Sequence, residues 1–226
     1  DDMRKGAGTL LIFSLLCLLT DTASAQNHLR VNAGYLIPSG EYADKSFEEN
    51  SGMAGDGFGY SLEYLRGYPS GLGWSLMAGH HTNQMVFGNL EAMAEDEFGG
   101  EWRISGDPWS YYFLMPGFTY RFTWFLDIEA SVSAGYVYSI SPEIRLDYTI
   151  SETSDKISLA ESASHAPAVM PALRFSYPVQ RWEVFLRWST FLARPQFKVT
   201  LLDGEKYNVK QYIINMNLGL GIGYRF

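Results

Sequence analysis

The chain has 226 residues, a formal net charge of −8, 46% apolar and 15% aromatic residues, and 22 glycines. Such a composition excludes a disordered tail, which would be rich in charge and poor in aromatics, and the acidic balance argues against a nucleic-acid partner. Beyond the N-terminus no run of about 18 apolar residues occurs, so a helical membrane bundle is excluded and a Gly- and aromatic-rich β protein remains.

Taken in chain order, residues 1–25 read as an export signal, with two extra residues, Asp1 and Asp2, before Met3. Arg4 and Lys5 supply the positive region, Leu10–Leu19 the apolar stretch, and Ala23-Ser24-Ala25 a small-residue cleavage site. Cleavage there makes Gln26 the first mature residue. The single cysteine, Cys17, lies inside the signal and has Leu16 before it, which disfavours lipidation. The mature chain is then free of disulfides and thiolate metal sites.

From residue 26 on, apolar residues alternate with small or polar ones at period two, the signature of strands. Candidate strands cover Leu29–Ile37, Phe58–Leu65, Leu72–Thr82, Tyr112–Phe122, Leu126–Tyr138, Pro167–Tyr177, Trp182–Leu192 and Tyr212–Phe226. The last is the clearest: every even position from Tyr212 to Phe226 is apolar or aromatic, and most odd positions are Gly, Asn or Arg. A soluble sandwich would put Lys, Glu or Thr on its second face. Here that face is narrow and polar. Eight strands of this length suffice to cross a bilayer at a tilt.

Short connections are expected near Gly67–Gly71, Thr123–Trp124 and Pro178–Arg181. Long ones are expected over 38–56, 84–108 and 141–165, and a hairpin turn at Asp203-Gly204. Pro116 and Pro171 fall inside strands and predict bulges or missing ladder bonds. The aromatics sort into two belts. Trp74, Tyr120, Trp124, Tyr177, Trp182 and Tyr224 lie near the short turns, and Phe58, Tyr60, Tyr112, Tyr136 and Tyr212 near the long loops. Together these features predict an all-β fold, an eight-stranded antiparallel transmembrane up-and-down β-barrel over residues 26–226.

This pattern resembles the small eight-stranded outer-membrane β-barrel proteins of Gram-negative bacteria, often called the porin family. The most specific element is the terminal Tyr224-Arg225-Phe226, which is similar to the aromatic signal read by the barrel-assembly machinery through Tyr224 and Phe226. Val31–Gly40 resembles the first strand and loop of such proteins, and Gln26 after the cleavage site resembles Bacteroidota exports. The resemblance implies a cell outer-membrane protein that meets lipid and lipopolysaccharide, works as a monomer, and carries no cofactor.

Strand parity points Glu63, Asp127, Glu129 and Glu183 inward, with Arg30, Arg121, Arg174, Arg187 and Arg225. Buried charges persist only when paired. A near-balanced set in a lumen just wide enough for side chains predicts a structural plug rather than an ion path. Glu183 and Arg187 share one inward row, and Arg121 sits near Asp127 across a short turn.

His80-His81-Thr82-Asn83 is the one run that suggests catalysis. On a strand His80 and Thr82 share a face, as a base and a hydroxyl nucleophile would. The run is similar to the His-x-Ser-Asn of outer-membrane lipid A deacylases, but it has Thr for Ser, lies in the third strand, and has no orienting acid. No metal spacing or phosphate loop occurs. The three long loops carry five, six and five acidic residues against one, one and two basic ones. Carboxylates of this kind suit divalent cations that bridge to lipopolysaccharide phosphates. The leading expectation is a non-enzymatic barrel serving envelope integrity or surface interaction. A deacylase-like enzyme on the same barrel and a small diffusion pore are the alternatives.

Overall fold

In the computed structural model the described residues are 26–46, 51–88, 90–150, 153–200 and 206–226. The candidate export signal and the Asp203-Gly204 turn lie outside them. Among the described residues there are thirteen strands: β1 (Gln26–Ser39), β2 (Ala54–Gly67), β3 (Leu72–Met85), β4 (Glu101–Gly106), β5 (Trp109–Thr123), β6 (Asp127–Ile140), β7 (Ile144–Ile150), β8 (Thr153–Leu159), β9 (Ala163–Val179), β10 (Trp182–Ala193), β11 (Gln196–Thr200), β12 (Lys206–Lys210) and β13 (Ile213–Arg225). Among the same residues one helix, α1 (Leu90–Phe98), and a 3-10 turn at Gly40–Tyr42 interrupt them.

Eight strands close into an antiparallel barrel in the order β1-β13-β10-β9-β6-β5-β3-β2. The first and last strands pair over their whole length, from His28 against Arg225 to Ser39 against Ile214. Closure removes the unpaired edge that an open sheet would expose. The prolines cause no register shift. Pairing lapses around Pro116 between β5 and β6 and around Pro171 between β9 and β10, then resumes in the same register. These are missing ladder bonds, as expected where Pro has no N–H to give.

Polarity is inverted relative to a soluble protein. Arg30, Glu63, Glu129, Arg174, Glu183 and Arg187 are buried in the lumen, while Leu220 is 67% and Phe118 77% exposed on the outer wall. The two aromatic groups lie on that wall toward opposite ends of the strands, with Trp124 and Tyr177 toward the short turns and Phe58 and Tyr136 toward the long loops.

The long connections differ from the expectation of loops. The segment between β3 and β5 contributes β4, and the segment between β6 and β9 contributes β7 and β8. These form a separate three-stranded sheet in the order β4-β7-β8. Alpha-1 is built of good helix formers (LEAMAEDEF) and ends at Gly99 and Gly100, both at positive φ, where an L side chain would be strained. Its Glu91 carboxylate accepts the Ile104 N–H at 2.8 Å, which covers part of the β4 edge. Arg145 hydrogen-bonds Glu143 at 3.0 Å and holds that exposed carboxyl below its usual range.

Candidate functional site

The lumen is filled in three layers. Nearest the short turns is a network of ionic groups. Arg30 on β1 reaches three carboxylates: Glu183 on β10 at 2.5 Å, Glu129 on β6 at 2.9 Å and Glu63 on β2 at 3.6 Å. Arg174 on β9 bonds Glu129 at 2.5 Å and also bonds Glu63. Arg121 lies 3.3 Å from Glu129 and 4.0 Å from Asp127. Phe185 lies under this network, with the Arg174 guanidinium 4.8 Å from its ring centroid. Charged, multiply bonded partners of this kind are the condition for keeping ions out of water.

Two of the residues expected in that network stand elsewhere. Arg225 is at the rim, where it donates to the Gln180 carbonyl at 2.8 Å. Arg187 is buried one layer higher and, among the described residues, makes no ion pair. It donates to the thioethers of Met77 at 2.9 Å and Met170 at 3.4 Å. Parity gave its face correctly, but the side chain extends away from Glu183 into the second layer, made by Met77, Met115 and Met170. One member was missed: His28, two residues before Arg30 on the same face, stands 3.3 Å from Glu183.

The third layer is neutral. Asn215 on β13 donates to Asn83 on β3 and to the Tyr111 hydroxyl on β5, each at 2.6 Å. His81 meets Tyr111 at 3.2 Å, and Asn83 donates to the Gly55 carbonyl at 2.9 Å. Above them Tyr42, from the 3-10 turn, packs edge-on to Trp109 at 5.6 Å, and Trp109 packs on Phe197 at 5.5 Å. These side chains close the end of the lumen beneath the long loops. At the other end a cavity of about 530 Å³ opens between the short turns and stops at Arg121 and Glu129.

The glycines of β13 explain how so much fits. A Cβ on Gly221 would stand 2.2 Å from the Phe185 ring, and one on Gly223 would stand 2.5 Å from the Glu183 carboxylate. The small face seen in the sequence is therefore the space into which side chains of β1 and β10 lie.

His80 and Thr82 share a face, as expected, and it is the outward one, while His81 and Asn83 face the lumen. His80 reaches across to the neighbouring strand, with Nε2 2.7 Å from the Ser110 hydroxyl. Ser110 was not singled out in the sequence, because the link depends on the β3–β5 register, which places Thr82 opposite Ser110 and His80 opposite Tyr112. Among the described residues no group of three or more His, Cys, Asp or Glu is placed to hold a metal.

Comparison with known proteins finds no matching family model and no matching curated protein. Solved structures do match in fold. A major outer membrane protein from Thermus thermophilus is 14% identical, with 90% of this chain and 100% of that chain covered and a TM-score of 0.50. The fold is that of an outer-membrane barrel. OprG from Pseudomonas aeruginosa (10% identity, 90% and 96% covered, TM-score 0.48) and Ail, the attachment invasion locus protein of Yersinia pestis (14%, 90% and 99%, TM-score 0.43), are also similar.

Proposed function

We propose that this protein spans the outer membrane as a monomeric barrel with a plugged lumen, and that its role is envelope integrity or surface contact through the sheet and loops beyond the long-loop end. The observation that carries the reading is the inverted polarity of a closed sheet: an apolar outer wall around buried, mutually bonded charges. Such a wall is stable in lipid, and a closed sheet exposes no unpaired strand edge there. The short turns and both strand termini Gln26 and Arg225 then face the periplasm, and the β4-β7-β8 sheet faces outward. Tyr224 and Phe226 serve as the assembly signal, and the outer-leaflet partner is lipopolysaccharide.

The pore alternative is disfavoured by the two closures, ionic at one end and aromatic at the other. The test has two parts. The folded protein should fractionate with the outer membrane and migrate faster before boiling than after it. Reconstituted in planar bilayers it should give no stepwise conductance. Recovery in the periplasmic fraction would overturn the membrane assignment, and steady channel openings would overturn the plug.

A further inference from the structure

The cavity of about 530 Å³ between the short turns falls within the size range of small-molecule sites, about 300–1,000 Å³. The plug does not use up its polar lining. Glu129, at the floor, is already bonded by Arg30, Arg174 and Arg121. Asp127 also lines the cavity from β6, with its carboxylate 4.0 Å from Arg121 Nη1, too far for a hydrogen bond. Arg225 lines it from β13, three places from β6 in the ring of eight strands. Among the described residues Asp127 and Arg225 make no ion pair with each other. We propose that this cavity binds a short zwitterionic peptide, with its ammonium at Asp127 and its carboxylate at Arg225.

Each charge is left over from the network around it. The Asp127 side chain is only 13% exposed, and among the described residues its carboxylate accepts no hydrogen bond. Arg121, its nearest cation, sits closer to Glu129, at 3.3 Å. A largely desolvated carboxylate without a donor is costly, and a ligand ammonium in the cavity removes that cost. Arg225 donates from Nη2 to the Gln180 carbonyl at 2.8 Å and makes no ion pair among the described residues. Its guanidinium has further N–H groups in a fork that suits a carboxylate. Arg181 stands beside it, its carbonyl accepting the Arg225 N–H at 2.7 Å, and adds a second cation on that side.

The two signs select the ligand. A simple anion would meet Arg225 but be repelled by Asp127, and a simple cation would satisfy Asp127 alone. A peptide carries both charges at its ends and amide groups between them. The wall between the charges includes Thr119, Thr123, Leu65 and Pro178, a mixture of hydroxyl and apolar residues that suits amides with small side chains. That such a peptide arrives from the periplasm rests on the orientation proposed above; the site itself does not. A free peptide and one attached to the cell wall share this chemistry.

The test uses the folded barrel in detergent micelles and tri-alanine as the probe, with heat-modifiable migration to verify folding of each variant. Calorimetry should detect binding of tri-alanine. N-acetylation removes the ammonium and C-terminal amidation removes the carboxylate, and each should weaken binding about tenfold, the worth of one charge-assisted bond. D127N should weaken tri-alanine about tenfold and bind the acetylated peptide equally well. R225Q should do the same for tri-alanine and the amide. R145Q, on the β4-β7-β8 sheet, should bind as the wild type does. Three results would each overturn the proposal: no binding of tri-alanine, equal binding of all three peptides by the wild type, or unchanged binding in D127N and R225Q. A loss on amidation alone would leave a simple anion site and overturn it as well. Sedimentation with purified cell-wall sacculi, competed by tri-alanine, identifies a wall-attached source, and binding of the soluble peptide alone identifies a free one. Labelling of S70C, in the β2–β3 turn, by a membrane-impermeant maleimide on intact cells would overturn the orientation and leave the site standing.

Discussion

At the turn end of the lumen, Arg30, Arg174 and Arg121 share Glu63, Glu129 and Glu183. At the loop end, Tyr111, Asn83, Asn215 and His81 bond without formal charge, under a cap of Tyr42 and Trp109. Both regions are buried and both span several strands, yet their sensitivities differ. A charged network carries a large desolvation cost that only complete pairing offsets, so loss of one member strands the rest. A neutral network forfeits one or two modest bonds when a member is lost. The turn end is therefore the brittle half of the barrel and the loop end the tolerant half.

The largest test of that contrast is Arg30→Met, which leaves Glu183 with His28 as its one close partner among the described residues and takes one of three arginines from Glu129. It should lower barrel stability by about 3–5 kcal/mol, the cost of breaking a buried pair, read from the unfolding midpoint in detergent and urea. If Arg30→Met unfolds no earlier than a loop-end variant, the ionic network is not what holds the turn end.

Next is Gly221→Val. Its Cβ would stand 2.2 Å from the Phe185 ring and 2.5 Å from the Val31 carbonyl oxygen. A ring can tilt, but the backbone oxygen belongs to a paired strand and cannot yield as cheaply. Overpacking of this kind costs about 1–3 kcal/mol. A neutral result would mean that β1 and β13 separate more easily than their continuous pairing implies. Asn215→Ala follows, with an expected loss of about 1–2 kcal/mol because the Tyr111 hydroxyl and the Asn83 carbonyl lose one partner each. The same midpoint assay ranks it against Arg30→Met.

Much of this architecture could be read from period two alone. The alternation from Tyr212 to Phe226 separates an outer wall from a lumen, and the same parity turns Glu63, Glu129, Arg30 and Arg174 toward each other. What parity cannot supply is partners, because those depend on the register and stagger of strands far apart in sequence. Hence Arg187 has the expected face but meets methionines, His28 joins the network unannounced, and Ser110 comes within reach of His80 only through the β3–β5 ladder. The loop-end sheet was hidden for the same reason. Beta-4 pairs with β7 across dozens of residues, and a short run such as Glu101–Gly106 carries too little pattern to reveal a partner. The glycines of β13 were visible as a narrow face, but their purpose lay in Phe185 and Glu183 on the strand beside them.

Arg187 gives the smallest expected effect and the sharpest reading of where the charged half ends. The residue is 2% exposed, and its guanidinium donates to two sulfur atoms, which are weak acceptors. The three buried glutamates already have Arg30, Arg174 and Arg121 within 4.0 Å. Replacement by Met removes a desolvated cation, fits an unbranched side chain into a layer already built of thioethers, and strands no carboxylate of its own. Where a buried charge lacks a close partner, an apolar residue of similar volume is often neutral or stabilising. Arg187→Met should therefore shift the midpoint by less than about 1 kcal/mol, in either direction, while Arg30→Met in the same assay shifts it several times as much. A loss for Arg187→Met equal to that of Arg30→Met would show that its field at Glu63 matters as much as direct contact. The brittle half would then extend upward into the methionine layer.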